Sequence, residues 1–185
     1  MLAKFISEPI KYTGEQLQSL WALKQFGLQG DSIVAFIGPC DVSAAAMVDI
    51  VDRESGLKIY SPKMLHFIVE HFDMDLEKTV FRQRLLVCLL KDELNRRLGK
   101  ETIERRGDDL FDGEYKLSVS IATLSPVSTL IHVGVNIETE GTPVLTKGLK
   151  DYRIEPKELA GQILQKYVQE MESIKLARCK VKGVK

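Results

Sequence analysis

The segment from residue 105 to residue 137, RRGDDLFDGEYKLSVSIATLSPVSTLIHVGVNI, restricts the possible folds more than any other part of the chain. Asp112-Gly113 is a strong signal for a two-residue hairpin turn, and alternating apolar residues that favour β-strands follow it. The pattern predicts an antiparallel meander of three strands, Asp109–Phe111, Tyr115–Thr123 and Thr129–Glu138. The fold must therefore contain an antiparallel sheet.

Two long helices are predicted around this meander. The first has Asp75 as its N-cap and ends at Gly99, and its LLVCLL centre is apolar nearly all round, so we expect it to be deeply buried. The second begins at Pro156, because proline suits the first turn of a helix, and it carries an apolar stripe as far as Ile174.

The N-terminal part of the chain predicts a helix followed by a strand. Thr13 and Gln16 form a capping-box pattern, and the apolar stripe after them predicts a helix over Gly14–Phe26. The apolar run in DSIVAFIG then predicts a buried strand over Ser32–Ile37.

The region after this strand has two possible secondary structures in its first part and a predicted helix in its second part. From Cys40 to Gly56 the alanines favour a short helix, whereas MVDIVD would pair equally well as a strand, so both alternatives stay open. Ser61 and Pro62 provide an N-cap and a first-turn proline for an apolar stripe that ends at Phe72, which predicts a further helix.

Helices that flank a mostly antiparallel sheet place the chain in the α+β class. The chain has 185 residues, no internal repeat and no low-complexity linker. We therefore expect residues 1–185 to form a single domain.

The composition argues against several classes of partner. The 26 basic and 26 acidic residues cancel, so we expect no general attraction to nucleic acid or to an anionic membrane. No apolar run reaches the roughly 20 residues of a membrane span, and the first residues lack the apolar core of a secretory signal. Cys40, Cys88 and Cys179 have no metal-ligand spacing. We expect a cytoplasmic protein without a metal site.

Alternation along the second and third meander strands separates an apolar face from a polar one. On the second strand, Leu117, Val119 and Ile121 lie on the apolar face. The small and polar residues of both strands make up the opposite face, namely Lys116, Ser118, Ser120, His132, Gly134 and Asn136.

The register that keeps both apolar rows on one side places Ser118 and Ser120 near Asn136 and Gly134. Antiparallel sheets commonly expose one such face to solvent. The small side chains and the single lysine also suit the floor of a ligand site, in which Lys116 would bind a phosphate or a polarised carbonyl group.

The charged motif RRGDD has two interpretations as well. Adjacent charges beside a turn often form only a solvated loop. Alternatively, Asp108 and Asp109 would hold Mg²⁺ against the phosphates of a nucleotide, and Arg105 and Arg106 would bind those phosphates bidentately. The spacing of the motif does not decide between the two.

The order of motifs in this segment resembles the central segment of biotin and lipoate protein ligases. In those enzymes, segments similar to KWPNDL, GRKLAGIL and IGIGIN form the acyl-adenylate site, and here RRGDDL, GEYKLSVSI and IHVGVNI stand in the same order. Through GLQGDSIVAF, MVDI, RRGDD and KLSVSIATLSPVS, the whole chain also resembles domain-of-unknown-function family 366. The resemblance implies the fold of class II aminoacyl-tRNA synthetases and biotin synthetases.

The resemblance also implies roles for individual residues. Lys116 matches the lysine that contacts the acyl-adenylate, and Asp109 matches the aspartate of an Asn-Asp pair, so these two are the expected catalytic residues. Asp108 stands in place of the asparagine, and Arg105 in place of the first lysine of that motif. The chain differs from biotin ligases in lacking their GRGRxGR loop, and Ser120 replaces the glycine of the KLAG strand.

The resulting hypothesis is a ligase-like domain that binds a carboxylate-bearing small molecule or its nucleotide adduct. If it is an enzyme, the resemblance implies ATP and Mg²⁺, acyl transfer to an acceptor protein, and the further ligand-binding residues Arg105, Arg106, Asp108, Ser118, Ser120, His132, Gly134 and Asn136. The alternative is a non-enzymatic accessory protein that binds a partner through residues 105–109. The apolar strands and long helices make a homodimer a further expectation.

Overall fold

The computed structural model describes residues 1–54, 56 and 58–184. The helices are Trp21–Phe26 (α1), Ile50–Glu54 (α2), Leu76–Leu98 (α3) and Pro156–Ala177 (α4), with short 3-10 turns at Ala44–Ala46 and Leu149–Tyr152. The strands are Leu2–Ile6 (β1), Ser32–Val42 (β2), Ile59–His71 (β3), Glu104–Arg106 (β4), Asp109–Asp112 (β5), Tyr115–Lys116 (β6), Ser118–Leu124 (β7) and Thr129–Glu138 (β8).

Two sheets organise the chain. The larger sheet has the strand order β1-β2-β3-β8-β7, in which β1 pairs parallel with β2 and the other neighbours pair antiparallel. The smaller sheet, β4-β5-β6, is antiparallel. The predicted α+β class with a mostly antiparallel sheet is confirmed, with the difference that β1 makes the larger sheet mixed.

Apolar residues cover both faces of the larger sheet. On one face, α3 and α4 form the main core with residues such as Leu90, Val133 and Tyr167. On the other face, the segment before α1 contributes Tyr12 and α1 contributes Trp21 to a second core. The central strand β3 is therefore enclosed, and every residue in its part from 64 to 71 is buried.

The helix predicted from Pro62 to Phe72 is wrong, because this segment belongs to β3. A strand that is buried on both faces carries apolar residues almost continuously, and such a run also matches a helical stripe. Pro62 lies where the pairing between β2 and β3 is interrupted. Its missing amide proton therefore leaves no bond of the ladder unmade.

The three predicted helices α1, α3 and α4 differ in how well the sequence patterns predict them. The helix capped by Asp75 and ended by Gly99 is confirmed, as is the helix that begins at Pro156. The N-terminal helix forms only over Trp21–Phe26, because Leu20 adopts a left-handed conformation with φ of 64° that interrupts a right-handed helix.

The structure extends the predicted N-terminal strand and decides between the two alternatives for the segment that follows it. The strand predicted to end at Ile37 continues to Val42. Within the segment that had two alternatives, residues 44–46 form a 3-10 turn and Ile50–Glu54 form α2, which agrees with the helical alternative. Ser55, which belongs to the same segment, lies outside the described residues.

In the described part of the chain, no helix is both long enough and apolar enough to cross a membrane.

Gly38 in β2 lets the N-terminal segment lie directly against the larger sheet. A Cβ atom at this position would overlap the backbone carbonyl of Ile10. The contact is held by hydrogen bonds from the amides of Ile10 and Tyr12 to the carbonyls of Ile37 and Pro39, at 3.1 and 2.9 Å. This close approach places the Tyr12 ring over the sheet.

We expect Gly38→Ala to lower the free energy of unfolding by about 1–3 kcal/mol, because the added methyl group forces the two backbone segments apart. Gly161→Ala on α4 is the matched control, since an added Cβ there meets no atom within 4 Å. Alanine at that helical position is expected to raise stability by up to about 1 kcal/mol. Urea unfolding measures both changes, and a neutral Gly38→Ala would contradict the close approach.

Candidate functional site

A cleft of about 160 Å³ opens on the face of the larger sheet opposite α3 and α4. Residues of β3, β7 and β8 lie at its base, and the walls come from the segment before α1, from residues 46–49 and 58–61, and from residues 142–146. Most wall residues are apolar, such as Val42, Met47, Ile59 and Val144. Polar groups lie on the base and also on the walls, where Asp49, Asp52 and Lys58 are charged.

One end of the cleft carries an ion pair. Lys116 Nζ lies 2.7 Å from Asp109 Oδ2, and the Ser118 hydroxyl donates to Asp109 Oδ1 at 3.0 Å. Burial raises the pKa of Asp109, and the charge of Lys116 opposes that rise. Asn136 lies beside the pair, since its side-chain nitrogen is 3.5 Å from the Lys116 carbonyl oxygen. This end therefore combines a cation, a carboxylate and an amide.

Two stacked histidines lie at the base of the cleft, where His132 lines the cleft and His66 is buried behind it. His66 Nδ1 on β3 lies 3.0 Å from His132 Nε2 on β8, and His66 Nε2 lies 3.2 Å from the Gly38 carbonyl oxygen. The Tyr12 ring stacks on His132 with ring centroids 3.8 Å apart. Burial lowers the pKa of His66 to about 3 and the pKa of His132 well below its usual value. Both rings are therefore neutral at physiological pH.

The predicted faces of β7 are wrong by one residue. Val119 pairs with Gly134 and Ile121 with His132, and because paired residues share a face, Val119 and Ile121 face the cleft. The alternation changes at Leu117, which lies between β6 and β7 and packs into the core formed with α3 and α4. The predicted placement of the two serines beside Asn136 and Gly134 is wrong for the same reason.

Ser118 and Ser120 border the cleft, but their hydroxyls bind the loop and strand that carry the RRGDD motif. The Ser118 hydroxyl accepts a hydrogen bond from the Leu110 amide at 2.9 Å in addition to its bond to Asp109. The Ser120 hydroxyl donates to the Asp108 carbonyl at 2.7 Å and accepts from Gln83 on α3 at 2.6 Å. These serines hold the motif in place against β7.

The structure leaves part of the predicted site outside the cleft. Arg105 and Arg106 are exposed on β4, where Arg106 lies 3.3 Å from Glu104. Asp108 accepts a hydrogen bond from Gln83 at 3.1 Å and does not reach the cleft lining. The predicted residues that do meet at the cleft are Asp109, Lys116, Ser118, Ser120, His132 and Asn136.

The small size of Gly134 makes room for a neighbouring side chain at the base of the cleft. It lies on β8 between His132 and Asn136, and an added Cβ would come within 2.9 Å of Met64 Cε. The residue therefore lets the Met64 side chain pack across the base of the cleft.

The sequence interpretation missed the residues from the N-terminal half. Tyr12, Asp49, Lys58 and Tyr60 line the cleft, although they are far in sequence from the meander. No local pattern marks them, because their place depends on how β2, β3 and the segment near Gly38 cross one another. Only tertiary contacts bring these side chains to the base formed by β8.

The Lys116 end of the cleft suits one anionic group, whereas the lining as a whole carries three carboxylates, Asp49, Asp52 and Asp109, and two lysines. Within residues 1–54, 56 and 58–184, no group of three or more His, Cys, Asp and Glu side chains could hold a metal ion. The lysines on the lining are Lys116, which Asp109 already neutralises, and Lys58, which lies 3.9 Å from Asp41. A carboxylate or the single phosphate of an adenylate matches this set, whereas a triphosphate needs further positive charge, such as the Mg²⁺ that ATP carries with it.

Comparison with known proteins identifies relatives of unknown function. The family model described as domain of unknown function (DUF366) matches residues 1–182. An uncharacterized protein of Methanocaldococcus jannaschii is 38% identical over 177 residues, which cover 92% of this chain and 79% of that protein. A solved protein of unknown function from Pyrococcus horikoshi has a TM-score of 0.92 at 38% identity and covers 99% of this chain and 100% of its own.

More distant solved structures show the same fold. Biotin protein ligase from Aquifex aeolicus has a TM-score of 0.62 at 14% identity, covering 95% of this chain and 71% of its own. Lipoate-protein ligase A bound with ATP has a TM-score of 0.56 at 16% identity, covering 93% of this chain and 86% of its own. The expected resemblance to the biotin and lipoate ligase fold is confirmed.

The buried histidines predict a loss of stability in acid. The pKa of His66 falls from 6.5 to about 3 on folding, so between these pH values the unfolded chain binds a proton that the folded chain does not. Stability therefore rises with pH across this window, by about 1.4 kcal/mol per pH unit from this residue.

Urea unfolding of the wild type and of His66→Gln over the same pH range measures this effect. The variant, which does not titrate at residue 66, is expected to show a shallower pH dependence. Parallel curves for the two proteins would show that His66 is not buried in its neutral form.

Proposed function

Because the chain belongs to the DUF366 family and has the biotin and lipoate ligase fold, we propose that it binds a small carboxylic acid, or the nucleotide adduct of one, in the cleft. The observation that carries the proposal is the meeting of Lys116 and Asn136 at one end of a mainly apolar cleft. The Lys116 ammonium would attract the anionic group, and the apolar walls would enclose an aliphatic body.

The Lys116–Asp109 pair supports this proposal rather than opposing it. Burial already raises the pKa of Asp109, and an anion that arrives beside it disfavours its charged form further. Proton uptake by Asp109 on binding would leave the positive charge of Lys116 to the ligand. The pair would thus keep a partly buried lysine compensated while the site is empty of ligand.

The finer proposal is catalytic. A carboxylate oxygen of the ligand would displace pyrophosphate from the α-phosphorus of ATP, and an amine would then displace AMP from the acyl-adenylate. Lys116 would stabilise the negative charge on the phosphate, and Asp109 would orient Lys116. A biotin protein ligase from Aquifex aeolicus with the same fold has been solved with biotin and ATP. At 12% identity this similarity shows the fold alone, so its support for the proposal is by analogy.

The mouth of the cleft suits contact with a partner. Val48 and Val144 line the cleft and are 43% and 51% exposed, which would give an acceptor protein an apolar contact beside the bound acyl group. If the protein is instead a non-enzymatic accessory subunit, the same apolar rim would serve binding alone. Release of pyrophosphate in the presence of the ligand, ATP and Mg²⁺ distinguishes the enzyme from the accessory subunit.

The free thiols Cys40, Cys88 and Cys179 suit the reducing cytoplasm, which is the proposed location of the protein.

We expect Lys116→Met to weaken the binding of the carboxylic acid about 10- to 100-fold, which is the range for loss of a hydrogen bond to a charged group. Lys147→Met is the matched control. Lys147 pairs with Asp112 at the same 2.7 Å, with side chains 34% and 19% exposed against 31% and 14% for Lys116 and Asp109. Because Lys147 does not line the cleft, its loss is expected to leave affinity unchanged.

Thermal unfolding and calorimetry with octanoic, biotinyl and lipoyl acids, each with and without ATP and Mg²⁺, make the measurement. A ligand at about 100 times its dissociation constant should stabilise the wild type by about 2.7 kcal/mol, or about 5–10 °C for a chain of this length. The proposal fails if none of these compounds binds, or if both lysine variants lose affinity equally.

A further inference from the structure

His132 presents a nitrogen to the cleft that has no partner within the described part of the protein. The residue is only 3% exposed, and its Nε2 is engaged with His66. The described residues contain two enclosed side-chain polar atoms without a hydrogen bond, Thr13 Oγ1 and Ser32 Oγ. His132 Nδ1 also lacks a hydrogen bond to the described residues, but it is not among these enclosed atoms, so part of its surface is accessible. Because His132 lines the cleft, this nitrogen is open to the cleft.

The Gly38 carbonyl determines which nitrogens carry protons. A carbonyl oxygen only accepts hydrogen bonds, so His66 Nε2, 3.2 Å away, must carry the proton that it donates. A neutral imidazole carries one proton, and His66 Nδ1 is therefore an acceptor. The facing His132 Nε2, at 3.0 Å, must then be a donor. His132 Nδ1 is left as a bare lone pair.

The surroundings keep both rings neutral. Tyr12 stacks on His132, and Phe36 stacks on His66 with ring centroids 4.9 Å apart. Within the described residues, the hydrogen bonds of the two rings go to each other and to Gly38, and none goes to a carboxylate. An imidazolium ion in this aromatic enclosure would have no counter-charge.

We propose that His132 Nδ1 is the hydrogen-bond acceptor that selects the ligand of the cleft, with His66 as the positioning residue that fixes its tautomer. The inference rests on the proposed function and narrows it to carboxylic acids, or their adducts, that also carry an N–H or O–H donor. His132 and Asn136 are four residues apart on one face of β8, or about 13 Å at about 3.3 Å per residue. The donor of the ligand therefore lies toward the far end of an elongated acid.

The tautomers are tested on the free protein by long-range ¹H–¹⁵N correlation spectra of the histidine rings. His66 and His132 are both expected as the Nε2–H form. In His66→Leu, His132 loses its acceptor and should become a mixture of tautomers. His66→Gln should restore the Nε2–H form, because its amide oxygen can accept from His132 and its amide nitrogen can donate to Gly38.

The third histidine provides an internal control. His71 binds Asp31 and Tyr167 instead, so its signals should not change in either His66 variant. An Nδ1–H or doubly protonated His132 in the wild type would overturn the inference, as would a His66→Gln spectrum that matches His66→Leu.

The selectivity is tested with octanoic acid and 8-aminooctanoic acid, whose protonated amine donates hydrogen bonds and accepts none. The ratio of their affinities in the wild type should favour 8-aminooctanoic acid about 2- to 3-fold more than in His66→Leu, where only part of the His132 population keeps a bare Nδ1, and His66→Gln should retain the wild-type ratio. Equal ratios in all three proteins overturn the inference alone. If neither acid binds the wild type, the proposed function and the selectivity both fail, while the spectra still decide the tautomers.

Discussion

The burial of β3 on both faces is the constraint on which the rest of the structure depends. A strand without an exposed face must satisfy its polar side chains through its neighbours. His66 does so through His132 and Gly38, and Glu70 accepts hydrogen bonds from the Leu20 amide at 2.8 Å and the Ser128 hydroxyl at 2.7 Å. These bonds connect β3 to β8, to β2 and to the segment before α1. The three elements that these bonds join to β3 also contribute residues to the cleft.

The two polar parts of the cleft have different physical characters. The histidine pair lies beneath Tyr12 and is expected to be rigid, because each hydrogen bond of the pair determines the next. The Lys116–Asp109 pair lies at the junction of the two sheets and is partly exposed. A pair of this kind contributes little to stability on its own. In the proposed function, its role is to offer the charge of Lys116 to a ligand.

Local patterns predicted those parts of the fold that depend on local interactions. The Asp75 cap and the Gly99 stop mark α3. The Asp112-Gly113 signal locates the β5–β6 hairpin, although its two turn residues are Gly113 and Glu114 and the predicted strand Tyr115–Thr123 divides between the two sheets as β6 and β7. The pattern of β3 predicts a helix because a doubly buried strand has no polar face to show its period. The face of Ser118 and Ser120 was misassigned because the irregularity at Leu117 has no sequence marker.

The same distinction applies to the site. Lys116, Asp109 and Asn136 could be singled out because they lie close in sequence on strands that the local pattern predicts, although the predicted register of β7 against β8 is wrong by one residue. Tyr12 could not, since it reaches the site only because Gly38 permits Ile10 to lie against β2. Arg105 and Arg106 have the chemistry of a phosphate site, but the β4–β5 hairpin turns them to solvent.

The central claim is that the cleft holds a small anionic molecule at Lys116. Native mass spectrometry of the protein, after equilibration with the small-molecule fraction of a cell extract, tests it most directly. We expect a retained carboxylic acid or acyl-adenylate, kept by Lys147→Met and lost by Lys116→Met. Retention of a compound without an anionic group, retention that Lys116→Met does not diminish, or no retained compound at all would contradict the account.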